Sequence, residues 1–317
     1  MHKIAFIFPG QGSQYVGMGK DFFEQYQTCQ EVFEKASQKS GVDVQKICFE
    51  ENDQINITEY TQIAMVATEV AILRVLQAAG LRPDVTAGLS LGEYAALVAA
   101  NILEEEDVFE LVRKRGILMQ EAVPSGGAMA AVLGLANELI EEICQQTEGM
   151  VTVANYNCPG QTVITGEDAA VKRAAEKLLE AGAKRCIFLN VSGPFHSPML
   201  QEAGEKLGEA LEKVTVNEIT IPYVANCTAE YVTDRNQVKT LLKDQVSSSV
   251  KWQQSIERML EDGVDIFIEI GPGKTLTGFM KKINKETMVM NVEKADDVQK
   301  VVDAVRAAME KGEETRC

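Results

Sequence analysis

Val85-Thr86-Ala87-Gly88-Leu89-Ser90-Leu91-Gly92-Glu93-Tyr94-Ala95-Ala96-Leu97-Val98-Ala99-Ala100 is the stretch that decides the fold. Val85 to Ser90 reads as a short strand that leads straight into a helix from Gly92 to Ala100, the strand-to-helix step from which α/β sheets are built. Within it, Gly88-Leu89-Ser90-Leu91-Gly92 matches G-x-S-x-G in the context that a nucleophile elbow demands. A serine on so tight a turn needs neighbours without side chains. The helix start beneath it offers amide donors and a positive dipole end to a developing oxyanion. The alternative is a glycine-rich turn with an idle serine, and the strand and helix on either side favour Ser90 as a nucleophile.

Outward from this unit the α/β alternation continues. Ile4 to Phe8 is a short apolar run closed by Pro9-Gly10 and reads as a buried strand. Ile63, Val66, Val70, Leu73 and Leu76 recur at helical spacing between Thr58 and Ala79, with Gly80 as the stop. Another helix, Glu104 to Ala122, opens with acids, as a helix dipole prefers. From 125 to about 190 the order changes to strand 128–134, helix 136–147, strand 150–154, strand 161–165, helix 168–181 and strand 184–189. That β-α-β-β-α-β order is the ferredoxin-like unit. Alternation then resumes with helix 198–213, strand 219–225, helices near 237–246 and 252–262, strand 264–270, helix 275–283, strand 287–291 and helix 295–311. The expected fold is α/β: a large α/β-hydrolase-like domain (1–124 and 193–317) with an inserted ferredoxin-like α+β small domain (125–192).

The composition suits a globular chain of 317 residues, 45% hydrophobic and 25% charged. A net charge of −16 opposes non-specific attraction to nucleic acid or anionic lipid, so neither is expected as a partner. The seven cysteines are scattered and contain no C-x-x-C pair, which suggests neither a zinc site nor a disulfide framework and fits a reducing compartment. With no signal-like segment and no stretch of about 20 apolar residues, the expected location is the cytoplasm.

A serine nucleophile needs a base, and the chain has two histidines. His2 stands at the terminus, whereas His196 lies in Ser192-Gly193-Pro194-Phe195-His196-Ser197-Pro198, a loop after the last strand of the insertion. Once Ser90 is granted, elimination makes His196 the base. No acid between them advertises itself as a third member, and a backbone carbonyl could orient the ring instead. Arg115 has Leu111, Val112, Leu118 and Met119 as its helical neighbours, so it points into the apolar stripe and must find an anion there. That anion is either a structural Asp or Glu or a substrate carboxylate held bidentately. Two glycine motifs mislead: Tyr15 stands where a dinucleotide fingerprint needs its third glycine, and Ile268 where a P-loop needs its first.

Six ordered blocks together resemble the malonyl-CoA:acyl carrier protein transacylase family, the acyltransferases of bacterial fatty acid synthesis. They are Phe8 to Gln14, Gly88 to Tyr94, Arg115-Gly116 with Met119 to Ala122, Asn155 to Gln161, the His196 loop, and Glu269 to Lys274. The resemblance implies that Ser90 is acylated, that His196 is its base, and that the amides of Gln11 and Leu91 form the oxyanion hole. It aligns Arg115 with the malonyl-carboxylate ligand and places Asn155, Asn157 and Gln161 in a segment facing the donor. Phe195 resembles the bulky residue of malonyl-selective members. By the same resemblance, the carbonyl that orients the histidine falls to Lys251, in Val250-Lys251-Trp252. One departure is Leu89, where the family usually has His.

The implied reaction is a two-step transfer from malonyl-CoA to the phosphopantetheine thiol of acyl carrier protein, with no metal or bound cofactor. A serine thioesterase or esterase with the same pair, and a catalytically idle carrier-binding subunit, are the alternatives. Lys184-Arg185 or Lys281-Lys282 is expected to supply docking charge for an acidic carrier.

Overall fold

The computed structural model describes residues 2–314, so Cys317 and the very end of the expected large domain lie outside the described residues. Two sheets organise the chain. The first contains β1 (Ile4–Phe8), β2 (Val85–Gly88), β7 (Tyr223–Val224), β8 (Tyr231–Val232), β9 (Ile266–Ile270) and β10 (Met288–Val292), in the spatial order β10-β9-β1-β2-β7-β8. The second contains β3 (Gly127–Leu133), β4 (Val151–Cys158), β5 (Gln161–Glu167) and β6 (Arg185–Phe188), in the order β4-β5-β3-β6.

In the large sheet β1 lies between β2 and β9, with all three parallel, and only β8 runs antiparallel to its neighbour. A central parallel strand is covered on both faces, which is why Ile4 to Phe8 is apolar without alternation and buried throughout. The helix Thr58–Ala78 packs on one side against the helix Glu105–Ala122. It is long and apolar enough to cross a membrane, a property the sequence reading assigned to no segment, yet 83% of its most apolar window is buried inside the protein. It is a core helix.

The small sheet is antiparallel throughout. Helices Asn137–Gln145 and Asp168–Glu180 close over it, and Ala130, Val132, Ile140, Ile164, Val171 and Leu178 form a separate core. Strand order and connectivity are those of the ferredoxin-like unit. The small sheet meets the large domain along β4, where Val250, in the loop before the helix Trp252–Glu261, donates to the Ala154 carbonyl at 2.8 Å and accepts from the Tyr156 amide at 2.9 Å.

Some element bounds differ from expectation. β4 continues to Cys158 because β5 pairs with it that far through two register shifts. The strand expected at 219–225 shortens to Tyr223–Val224. Three helices between Lys20 and Phe49 had no counterpart in the sequence reading, although Cys29, Val32, Phe33 and Ala36, the buried face of Gln27–Ser40, stand at helical spacing.

Candidate active site

The end of β2 and the start of the helix Gly92–Ala99 form a turn that only glycine can flank. A Cβ on Gly88 would collide with the Gly92 carbonyl, and one on Gly92 with the Phe8 carbonyl of β1. Ser90, at the apex, has φ +53°, a left-handed conformation uncommon outside glycine. Its hydroxyl thereby stands clear of the sheet, 2.7 Å from His196 Nε2.

His196 comes from the loop that returns from the small sheet, also at positive φ, and is 3% exposed. Its Nδ1 is 2.8 Å from the main-chain oxygen of Gln245. A carbonyl only accepts, so Nδ1 bears the hydrogen and Nε2 is left to accept from the Ser90 hydroxyl. Burial, helped by the Arg115 charge, lowers the imidazole pKa to about 4, so the ring is neutral through the physiological range.

Arg115, 1% exposed, lies in the helix Glu105–Ala122 and turns inward as its sequence position required. One guanidinium nitrogen donates to Ser90 Oγ at 3.1 Å and to Gln245 Oε1 at 2.9 Å, and the group lies over the Tyr94 ring. Its Nε has no partner. Neither hydrogen-bond partner is a carboxylate. The nearby acid is Glu93, whose burial raises its pKa to about 8, and whose Oε2 accepts from the Gln245 amide at 2.6 Å and from the Asn226 amide at 3.3 Å.

Gln245 thus replaces Lys251 as the residue whose carbonyl holds the histidine. Lys251 instead donates its amide to the Asn226 carbonyl at 2.9 Å and accepts from Ser255 at the start of the helix Trp252–Glu261. Its side chain lines a cleft of about 530 Å³ with Tyr156 and Arg258, a space that includes none of Ser90, His196 and Arg115. The expectation failed by register: the carbonyl that faces His196 sits upstream of Lys251, across the loop between the two helices, at the end of the helix Val238–Gln245.

The remaining expected residues are placed as follows. Gly10 packs against the Leu89 carbonyl, which brings the Gln11 backbone alongside the elbow. Among the described residues, neither the Gln11 nor the Leu91 amide donates to a protein acceptor. The Gln11 side chain bonds Thr58 Oγ1 at 3.1 Å, and Thr58 in turn bonds Ser192 Oγ at 2.7 Å, a chain linking the Gln11 loop to the His196 loop. Asn155 and Asn157 are buried in β4 at the junction with Val250. Gln161 lies across the hairpin from them and accepts from Lys282 at 3.2 Å, with no bond to the Ser90–His196 pair. Phe195 is buried against the main core. Leu89 packs into the cluster around Trp252 and Phe267. Sequence reasoning missed Gln245, Asn226 and Thr58, polar residues with no motif of their own, and gave no role to Glu93 and Ser192, which stand inside the elbow block and the His196 loop. Among the described residues there is no group of three or more His, Cys, Asp and Glu that could hold a metal ion.

A strand-to-helix serine, a buried neutral histidine and an inward guanidinium on this two-sheet frame define an α/β acyltransferase. The comparisons agree: the model of the acyl transferase domain family matches residues 5–311, and the chain belongs to that family. It is 41% identical over 311 residues to the malonyl CoA-acyl carrier protein transacylase of Bacillus subtilis (strain 168), covering 96% of this chain and 98% of that one. The crystal structure of a malonyl CoA-acyl carrier protein transacylase from Clostridium perfringens superposes with a TM-score of 0.94 at 44% identity, covering 98% and 99% of the two chains. A malonyl-transacylase solved in complex with its type II PKS acyl-carrier protein superposes with a TM-score of 0.92 at 37% identity, covering 95% and 99%.

Proposed function

We propose that the protein moves the malonyl group of malonyl-CoA to the phosphopantetheine thiol of acyl carrier protein through a malonyl ester on Ser90, supplying fatty acid synthesis. The observation that carries this reading is the guanidinium of Arg115, buried 3.1 Å from Ser90 Oγ with only a hydroxyl and an amide as partners. A cation so placed is left without a carboxylate until an acyl group brings one.

His196 Nε2 takes the Ser90 proton as Oγ attacks the thioester carbonyl. The amides of Gln11 and Leu91 receive the oxyanion, the C–S bond breaks, and the imidazolium returns its proton to the leaving CoA sulfur. In the second half, His196 deprotonates the carrier thiol, which attacks the ester, and Ser90 leaves with the proton. Arg115 holds the malonyl carboxylate in both halves. Asn155 and Asn157 line the donor side, and Phe195 restricts bulk next to the acyl group. Gln161, which accepts from Lys282, contacts the donor further out.

The six described cysteines are free, which supports a reducing, cytoplasmic setting. Intact-protein mass spectrometry tests the reading: malonyl-CoA should add one malonyl ester to Ser90, and a phosphopantetheinylated carrier should remove it. Release to water at the same rate without carrier would make the protein a thioesterase. No ester at all would make it an idle carrier-binding subunit.

A further inference from the structure

Asn226 follows β7, the sheet neighbour of β2, and is completely buried. Its side-chain amide spans the elbow. Nδ2 donates to the Gly88 carbonyl at 2.7 Å, and Oδ1 accepts from the Ser90 amide at 2.6 Å. One planar group therefore grips the main chain on both sides of Leu89, where the turn leaves the strand. Its own main chain is fixed as well, the amide on Glu93 and the carbonyl under the Lys251 amide. Holding a non-glycine residue at φ +53° strains the backbone, and such strain persists only where the surroundings over-determine it.

We propose that Asn226 is the positioning residue of the nucleophile: by clamping Gly88 and Ser90 it fixes the Ser90 hydroxyl toward His196 and occupies the Ser90 amide. With that amide engaged, oxyanion donation passes to the next one in the chain, at Leu91, with Gln11 opposite. The side-chain geometry also explains why asparagine stands here. The clamp needs a donor atom and a separate acceptor atom on a short rigid arm: ionised Asp has no donor, Ser carries both on one oxygen, and Ala has neither.

This inference rests on Ser90 being the acylated residue, and a fluorophosphonate probe separates the two questions. Native protein should be labelled at Ser90; an unlabelled Ser90 would remove the nucleophile reading itself. Given native labelling, Asn226→Ala and the near-isosteric Asn226→Asp should both be labelled roughly ten- to hundredfold more slowly, the equivalent of one or two lost hydrogen bonds. Aspartate keeps the acceptor for Ser90 but sets an oxygen against the Gly88 carbonyl, so it should not rescue. Single-turnover acylation should fall by the same factor with malonyl-CoA and acetyl-CoA, in kcat rather than KM, because the clamp touches the serine and not the acyl pocket. A residue that merely stabilises the fold would lower the melting temperature and leave these rates alone at 25 °C. Labelling and acylation within twofold of native in the folded variants would overturn the proposal, as would a loss confined to KM or to malonyl-CoA.

Discussion

The main-chain oxygen of Gln245 accepts the Nδ1 hydrogen of His196 across 2.8 Å, while its side-chain oxygen accepts from Arg115 at 2.9 Å. One residue therefore sets the tautomer of the base and the position of the cation beside it. The orientation of its amide is itself determined, because Nε2 faces only acceptors, the Ser90 carbonyl at 2.8 Å, Glu93 at 2.6 Å and Asn226 Oδ1 at 3.5 Å, which leaves Oε1 for Arg115.

Gln245→Ala should divide those roles. The carbonyl remains, so His196 keeps its orientation, but Arg115 loses a partner and Glu93 loses its strongest donor. Leaving buried polar groups unpaired costs about 1–3 kcal/mol each, so the melting temperature should fall. Transfer of malonyl should fall more than transfer of acetyl. Calorimetry with paired donor kinetics checks both, and an equal loss with the two donors would mean that the base had moved as well.

Ser90 and His196 should behave as one unit. Ser90→Ala should abolish acyl-enzyme formation and His196→Ala should nearly do so, with the double variant scarcely worse than either. His2 bonds Asp265 at the surface, far along the chain from this site, and His2→Ala should leave transfer unchanged. Near-native transfer by His196→Ala would displace it as the base.

The low pKa of His196 has a consequence for pH dependence. Because its folded pKa, about 4, lies below the ordinary value near 6.5, the unfolded chain binds more protons between those limits. This group's contribution to stability is therefore present above pH 6.5 and is lost as pH falls from there toward 4. The acylation rate should stay flat from about pH 7, where Glu93 with its pKa near 8 is already protonated, down to about 5, with no inflection near 6.5. A pre-steady-state pH profile measures this directly, and an inflection near 6.5 would show that the imidazole is not held neutral by burial.

Much of this was legible in the chain because a few residues had distinctive requirements. Gly88 and Gly92 announced the elbow through their need for space, and the inward placement of Arg115 followed from helical spacing alone. The β-α-β-β-α-β order of the insertion survived even where strand ends moved. What stayed hidden depends on contacts between distant segments. Asn226 and Gln245 act from 136 and 155 residues beyond Ser90, through hydrogen bonds that no local pattern records. The transfer of the histidine's partner to Lys251 failed for the same reason, since a carbonyl acceptor carries no side-chain signature.

Carrier docking should depend on local positive charge, because the chain's net −16 opposes the approach of another acidic protein. Lys281 and Lys282 are exposed at the end of the helix Thr275–Ile283, next to Gln161. Reversing Lys281 to Glu, which leaves the Lys282–Gln161 bond in place, should raise the apparent KM for carrier and leave acylation of Ser90 by malonyl-CoA unchanged. An unaltered carrier KM would direct attention to Lys184 and Arg185, exposed at the start of β6.

Arg115 should decide which acyl groups are accepted. Arg115→Ala removes a charge-assisted contact to the donor carboxylate, worth about 1.5–3 kcal/mol, or roughly ten- to hundredfold in malonyl transfer. Acetyl-CoA has no carboxylate to lose and should lose far less than malonyl-CoA, since acetate never compensates the buried guanidinium. Methylmalonyl-CoA should be a poor donor for the native protein, because Phe195, directly before His196 and packed in place against the core, resembles the bulky residue of malonyl-selective members. The measurement is the ratio of kcat/KM for malonyl-CoA over acetyl-CoA in native and variant protein, with folding checked by thermal melt. Arg115 also donates to Ser90 Oγ, so some loss common to both donors is expected, and the ratio isolates the carboxylate contact. A ratio that the substitution leaves unchanged would reduce Arg115 to a structural cation and favour the thioesterase.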